Sequence, residues 1–292
     1  MAAELGDPRY KHVTFINNTA RCGSTLLCAM FANIPKVRIF SEPWAFLHIH
    51  GDYIQKRTTE AEFLALLRSV YRIQCKPEKR KSDCEHLVIK TVYFNSGLYP
   101  LLKKMYPDIQ MVFNTRNYKH SLKSFTKVVA HLPAYALASG VQRDMVIGHM
   151  PFPYNEQKWW NIYKEWMDKR RYETNMEEQF AMSFAGNVYE FLKTRDIYCK
   201  ICIYEDIKKD AKAEITDLFT KINLDTKNVP LAMAMMGKDS QKGVLGKPGN
   251  DHVNIPASTW ASVNSIWKEY NVPVTAEMTA EEYEKVILHF KF

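Results

Sequence analysis

Residues 12–33 read HVTFINNTARCGSTLLCAMFAN, and this stretch predicts the kind of fold that the chain adopts. β-Branched and aromatic residues dominate residues 12–17, which favours a strand, whereas the apolar residues 24–33 favour a helix. The residues between them are mostly small or polar, as a sharp bend requires. Backbone N–H groups converge at such a helix start, and together with the helix dipole they bind phosphate or sulfate. The stretch therefore predicts an anion-binding turn after the first strand.

The same succession of a strand and a helix recurs along the chain. A loop is predicted after the second strand, and residues 151–195 are predicted to be helical. Further strands are predicted at residues 37–40, 86–91, 109–115 and 197–204, and further helices at residues 59–73, 96–105, 119–130 and 211–222. This alternation implies an α/β fold in which helices flank both faces of a central parallel sheet. Ligands bind at the carboxyl ends of the strands in such a sheet.

Length and charge narrow the classes of function. With 292 residues, 46% of them hydrophobic, the chain is expected to form one domain, residues 1–292. Forty Lys and Arg against 32 Asp and Glu give a net charge of +8, which is typical of a protein with an anionic ligand. The sequence shows neither a membrane-spanning stretch nor a signal peptide, so we expect a cytoplasmic protein or the excised lumenal part of a longer one. The Gly- and Pro-rich residues at about 237–256 predict a long functional loop.

The predicted turn differs from the phosphate loop of ordinary nucleoside triphosphatases. That loop has the pattern GxxxxGK[ST], and the turn here lacks both the first Gly and the Lys. Arg21 supplies a cation instead, and its planar guanidinium suits oxyanions. Taken alone, the turn is explained equally well as a structural bend.

A second basic cluster follows the fourth predicted strand. Arg116 ends that strand, and Ser124 comes eight residues later on the next helix. An arginine fork and a hydroxyl in this arrangement fit a second phosphate group. The alternative is that Arg116 caps its own loop and that Ser124 hydrogen-bonds to its helix backbone. These two residues alone leave both interpretations open.

Two further motifs follow along the chain, IYEDIKKD at residues 203–210 and QKGVLG at residues 241–246. Together with the turn and with Arg116 and Ser124, they make four motifs that, in this order, resemble those of the sulfotransferases that use 3′-phosphoadenosine 5′-phosphosulfate (PAPS). The turn at residues 19–27 resembles their 5′-phosphosulfate loop, and Arg116 with Ser124 has their 3′-phosphate spacing. Tyr204 lies in the segment IYEDIKKD, which resembles the strand end whose tyrosine contacts adenine. The segment QKGVLG at residues 241–246 resembles the late loop RKGxxG, which closes over the 3′-phosphate. The resemblance extends from residue 12 to about residue 248.

This resemblance implies a donor site. The implied ligands are PAPS and its product adenosine 3′,5′-bisphosphate (3′,5′-ADP). The residues implied to bind them are Arg21, Cys22, Gly23, Ser24, Thr25, Leu26, Arg116, Ser124, Tyr204, Gln241, Lys242 and Gly243. Lys90 is implied to contact the bridging oxygen of PAPS and to stabilise the charge that develops there. No metal is expected, because Arg21, Lys90 and the N–H groups of the turn supply the positive charge.

The chain departs from the family pattern where the catalytic base is concerned. The cytosolic branch has KTH or KSH after the third strand, with the His as base, whereas residues 90–92 here are KTV. The carbohydrate and tyrosyl-protein branches use a Glu, and Glu42 lies at close to the tyrosyl-protein spacing from Arg21. The resemblance therefore implies Glu42 as the general base. The alternative is a Glu42 that merely pairs with a neighbour such as Arg38.

Two further departures concern the late loop and assembly. Gln241 replaces the usual Arg of the late loop, so one 3′-phosphate contact is weaker or comes from elsewhere. The dimer motif of the cytosolic branch is not recognisable near the C-terminus, which leaves the oligomeric state open.

The acceptor is expected to be a small hydroxylated compound, an alcohol, a sugar or a phenol. Five aromatic residues are candidates for its pocket, although each is equally well explained as core: Trp44, Phe46, Tyr93, Phe94 and Phe152. Two other classes stay open, a nucleoside or small-molecule kinase of the P-loop type and a basic nucleic-acid-binding protein. The basic residues are spread along the chain and do not interleave with aromatic platforms, so nucleic acid is not expected as a partner.

The cysteines and one histidine complete the candidates. Cys22 lies beside Arg21 at a helix start, where a thiolate is stabilised, but a structural role is favoured for it. Cys199 and Cys202 form a CxxC within a predicted strand, where their odd spacing sends them to opposite faces. His120 is a further candidate for 3′-phosphate binding.

Overall fold

The computed structural model describes residues 10–76, 83–93, 96–130, 176–236 and 253–292. In this part of the chain, five strands form one sheet: β1 (His12–Asn18), β2 (Val37–Ser41), β3 (His86–Lys90), β4 (Gln110–Thr115) and β5 (Lys200–Ile203). All neighbours pair in parallel, in the order β2-β3-β1-β4-β5. The predicted α/β class with a central parallel sheet is confirmed.

The described helices, numbered here in chain order, follow the strands. Those of the N-terminal half are α1 (Ser24–Ala32), α2 (Trp44–Ile54), α3 (Glu60–Cys75), α4 (Leu98–Met105) and α5 (Tyr118–Ala130). Those of the C-terminal half are α6 (Met176–Lys193), α7 (Tyr204–Lys209), α8 (Ala211–Lys221), α9 (Val229–Met233), α10 (Ala257–Glu269) and α11 (Ala280–His289). Short 3₁₀ turns lie at Arg195–Ile197 and Thr226–Asn228.

The central strand β1 is buried on both faces of the sheet. Phe15 packs on one side, with its ring centroid 6.0 Å from Phe46 and 6.5 Å from Tyr99. Its neighbour Ile16 belongs to a different cluster on the other side, which includes Leu27 of α1. Successive side chains of a strand point to opposite faces, so one strand supplies both cores. The strand order places β1 in the middle of the sheet, so its end lies at the centre of the carboxyl edge.

The loop prediction after β2 is wrong over residues 44–54, which form α2. The buried face of this helix consists of Phe46, Leu47, His50, Gly51 and Ile54. Two of these five are not apolar, so the helical period is hidden from a pattern of hydrophobicity.

Other boundaries shift by a few residues. The predicted strand at residues 197–204 is shorter, since a 3₁₀ turn precedes β5 and α7 begins at Tyr204. The helix predicted for residues 151–195 is confirmed over Met176–Lys193, and residues 151–175 lie outside the described part. Most of the loop predicted at residues 237–256 also lies outside it.

Candidate functional site

The turn between β1 and α1 has a strained backbone. Ala20, Arg21 and Gly23 have φ angles of 60°, 50° and 78°, all in the left-handed region. A residue other than Gly in this region costs about 1–3 kcal/mol, and such residues concentrate at binding sites. Gly23 is the N-cap of α1, and no side-chain hydrogen bond caps this helix. The turn thus has the backbone form of an anion-binding concavity at a helix N-terminus.

Buried asparagines hold this turn in place. The side-chain amide of Asn18 donates to the carbonyl of Thr91 (2.8 Å), and its Oδ1 accepts from the backbone N–H of Ala20 (3.2 Å). The side-chain amide of Asn114 at the end of β4 approaches Cys22 Sγ at 3.2 Å. Both neighbouring strands therefore fix the bend, and the backbone strain is offset by buried hydrogen bonds.

Tyr204 packs directly against Gly23. A Cβ atom on Gly23 would lie 2.3 Å from Cδ2 and 2.6 Å from Cε2 of the Tyr204 ring. The guanidinium of Arg116 lies over the same ring, 4.6 Å from its centroid. Tyr204, implied by the resemblance to contact adenine, thus also connects the turn to the second basic cluster.

Arg21 and Ser124 are in contact although they lie far apart in sequence. Arg21 Nε donates to Ser124 Oγ at 3.2 Å. Burial lowers the pKa of Arg21, and the positive charge of Arg116 lowers it further, while the guanidinium stays protonated at physiological pH. The two predicted anion-binding clusters therefore adjoin, and together they contain two arginines.

Glu205 anchors the second basic cluster. Its Oε1 lies 3.5 Å from Arg116 Nε and 3.0 Å from His120 Nδ1, and its Oε2 accepts from the backbone N–H of Asn117 at 3.1 Å. Burial by itself raises the pKa of Glu205, but these three partners outweigh it and the net pKa is lowered. A carboxylate at this position keeps Arg116 oriented along the carboxyl edge.

Lys90 and Glu42 form an ion pair at the ends of β3 and β2. The side chain of Lys90 is only 4% exposed, whereas that of Glu42 is 45% exposed. The backbone N–H of Glu42 also donates to the carbonyl of Lys90 at 2.7 Å, and Glu42 itself has a left-handed φ of 56°. Because Ser41 pairs in register with Lys90, the parallel strands bring these two side chains together. Arg38, the alternative partner of Glu42, donates to the hydroxyl of Tyr10 instead.

The candidates for an acceptor pocket separate into core and surface. Phe46 is fully buried against Phe15 and belongs to the core. Trp44, two residues after Glu42, is 61% exposed, and Tyr93 is partly buried. Phe94 and Phe152 lie outside the described residues. Val92 is buried beside Leu47, so a hydrophobic contact occupies the position of the missing His.

The remaining candidates are placed as follows. Burial raises the pKa of the Cys22 thiol, which fits the structural role favoured from the sequence. Cys199 is exposed and lies just before β5, so the two cysteines do not share a strand as predicted; Cys202, within β5, is buried. Gln241, Lys242 and Gly243 lie outside the described residues. No group of three His, Cys, Asp or Glu suited to a metal ion occurs among the residues that the structure describes, and no helix there is long and apolar enough to cross a membrane.

Sequence reasoning missed the anchoring residues. Glu205 directly follows Tyr204 in the segment IYEDIKKD, so the signal in the sequence is a carboxylate next to a candidate binding residue. Tyr283, whose hydroxyl lies 2.8 Å from Thr115 Oγ1, has no signal in the sequence because its contact is purely tertiary.

Comparison with known proteins gives neighbours in structure only. No protein-family model and no curated protein matches the chain. A sulfotransferase from Alicyclobacillus acidocaldarius is similar over 88% of this chain and 91% of its own, with 14% identity and a TM-score of 0.46. Mouse sulfotransferase SULT7A1, solved in complex with PAP, is similar over 92% and 88%, with 10% identity and a TM-score of 0.47. Sulfotransferase STF9 from Mycobacterium avium is similar over 94% and 80%, with 12% identity and a TM-score of 0.46.

All three are sulfotransferases, the family that the sequence motifs resemble. The likeness is one of fold, and it assigns no role to any residue of this chain.

Proposed function

We propose that this protein is a sulfotransferase that moves a sulfuryl group from PAPS to a hydroxyl of a small acceptor. The observation that carries the proposal is the contact between Arg21 and Ser124. It joins two anion-binding clusters, each identified separately in the sequence, at the carboxyl edge of one sheet. A ligand with negative charge at two points fits such a site better than a single phosphate does.

The residues present fit a donor that bears a 3′-phosphate and a 5′-phosphosulfate. The left-handed turn and the start of α1 provide N–H groups for the 5′ end, with Arg21 as the cation. Three groups are available to bind the 3′ end: the guanidinium fork of Arg116, the hydroxyl of Ser124 and the imidazole of His120. Tyr204 lies between the two groups of residues, with its ring against Gly23.

The pair of Lys90 and Glu42 supplies the chemistry of transfer. PAPS provides the sulfuryl group and a phosphate as its leaving group. The Glu42 carboxylate, nearly half exposed, accepts the proton of the acceptor hydroxyl as the new bond from oxygen to sulfur forms. The buried ammonium of Lys90 neutralises the charge that develops on the leaving phosphate when its bond to sulfur breaks. Their ion pair holds both groups at the carboxyl edge, and the transfer separates it as Glu42 takes up the proton and Lys90 turns to the leaving phosphate.

The first experiment measures binding. The melting temperature is expected to rise by about 3–6 °C with 3′,5′-ADP at about a hundred times its Kd. ATP with Mg²⁺ at the same concentration is expected to leave it unchanged. A rise with ATP alone would favour a kinase, and a rise with neither nucleotide would reject the donor site.

The second experiment separates the two catalytic roles. In a PAPS-dependent screen over phenol, steroid, sugar and peptide acceptors, Glu42→Gln and Lys90→Ala are each expected to lower kcat by about 10²–10³-fold. Binding of 3′,5′-ADP to Glu42→Gln should change little, since Glu42 contacts the acceptor. Glu60→Gln breaks the exposed ion pair with Lys104, 2.9 Å long, and is the matched control. Wild-type turnover in either site variant would reject its assigned role.

A further inference from the structure

Three buried hydroxyls connect the two anion-binding clusters to the C-terminal helix. Thr19 Oγ1 lies 3.1 Å from Thr115 Oγ1, which in turn lies 2.8 Å from the hydroxyl of Tyr283. All three side chains are fully buried. Thr19 begins the turn that carries Arg21, and Thr115 directly precedes Arg116. This chain of hydroxyls therefore connects the backbone near Arg21 with the backbone next to Arg116.

A second hydrogen bond ties the same region to the same segment. The side-chain amide of Asn117 donates to the carbonyl of Met278 at 3.2 Å. Thr115 and Asn117 are the two chain neighbours of Arg116, so both flanks of this arginine are held from α11 or the residues just before it. The position of Arg116 thus depends on a segment remote in sequence.

Helix α11 is itself firmly placed. A capping box formed by Thr279 and Glu282 fixes its start. At its other end the guanidinium of Arg195 donates to the carbonyls of Leu288 (3.0 Å) and Phe290 (2.9 Å). Burial raises the pKa of Tyr283, which keeps its hydroxyl protonated. A neutral hydroxyl on a fixed helix is well suited to setting the position of the groups that it contacts.

We propose that Tyr283 is a positioning residue that sets the separation of the Arg21 and Arg116 clusters. The inference rests on the proposed function, because only a ligand with two anionic ends senses that separation. Once one phosphate of such a ligand is bound, the other meets its site at a high effective concentration, provided that the spacing is correct. A ligand with one phosphate engages one cluster and gains nothing from the spacing.

The test compares ligands with one and two phosphates. Calorimetry gives the Kd values of 3′,5′-ADP, 5′-AMP and 3′-AMP for the wild type and for Tyr283→Phe, which removes only the hydroxyl. For each monophosphate, the measured quantity is its Kd divided by the Kd of 3′,5′-ADP. In Tyr283→Phe this ratio is expected to fall about fivefold, because the loss of one ordinary hydrogen bond changes an affinity by about that factor. Thr115→Val, which is similar in shape, should lower the ratio in the same direction and serves if Tyr283→Phe does not fold.

Thr14→Val is the matched control. Thr14 is also fully buried, and its Oγ1 lies 2.9 Å from His86 Nε2 near the amino end of β1, whereas both clusters lie at the carboxyl edge of the sheet. It should lose about as much stability as Tyr283→Phe and keep the wild-type Kd ratio. An unchanged ratio in Tyr283→Phe, or an equal fall in Thr14→Val, would overturn the inference and leave the proposed function standing. Absence of 3′,5′-ADP binding to the wild type would overturn both.

Discussion

Replacement of Gly23 by Ala tests the link between the turn and the second cluster. The new Cβ would lie 2.3 Å and 2.6 Å from two atoms of the Tyr204 ring, where ordinary contacts are 3.4–4 Å, so the ring must move by about 1 Å. The φ of 78° adds a backbone penalty of about 1–2 kcal/mol. With about 1–3 kcal/mol for the displaced ring, the free energy of unfolding should fall by about 2–5 kcal/mol.

The two contributions can be separated by a double-mutant cycle. In a Tyr204→Ala background the added methyl has no ring to displace, so Gly23→Ala should cost only the backbone penalty. Urea denaturation of the four proteins should therefore give a coupling energy of about 1–3 kcal/mol between the two positions. Since Arg116 lies over the Tyr204 ring, the affinity of Gly23→Ala for 3′,5′-ADP should also fall. Equal losses in both backgrounds would refute the proposed packing of Tyr204 on the turn.

Two further predictions concern buried titratable groups. Burial, together with the charge of His12, lowers the pKa of His86 to about 4. The pKa of a His in the unfolded chain is near 6.5, so between pH 6.5 and pH 4 the unfolded state binds a proton that the folded state does not. The free energy of unfolding should therefore fall by about 3 kcal/mol as the pH drops from 7 to 4. Urea denaturation of His86→Gln should show a shallower fall across that window, and an equal slope in the two proteins would contradict the assignment. Cys22 is buried and should resist alkylation by iodoacetamide in the folded protein, whereas the exposed Cys199 should react. Peptide mass spectrometry measures the two alkylation rates. Equal rates would show that the turn opens readily.

The sheet was predictable because its strands carry a local signal. The strands at residues 12–18 and 110–115 are rich in β-branched and aromatic residues, and the helices that follow them have apolar faces. Helix α2 was missed because its buried face includes His50 and Gly51. One histidine and one glycine on this face thus concealed an element that the core requires.

The sequence predicts which residues belong to the candidate site but not the contacts between them. Arg21 lies in the turn after β1, Arg116 directly follows β4, and Ser124 lies on α5, the helix after that strand, so the topology brings them to one edge. Glu42 and Lys90 meet because β2 and β3, which are consecutive in sequence, pair with Ser41 opposite Lys90, and no local pattern encodes this register. The contacts made by Glu205 and Tyr283 depend on how distant segments pack, and no local pattern encodes them.

The position of β1 has a consequence for how the chain reaches this structure. Phe15 pairs with Ile89 on one side and with Met111 on the other, both far along the sequence. During synthesis β1 therefore has neither of its edges covered until β3 and β4 have emerged, and closing such long loops is slow. During that interval β1 is an unpaired strand with exposed backbone groups and is open to association with other chains, so refolding from denaturant should give higher yields in dilute solution.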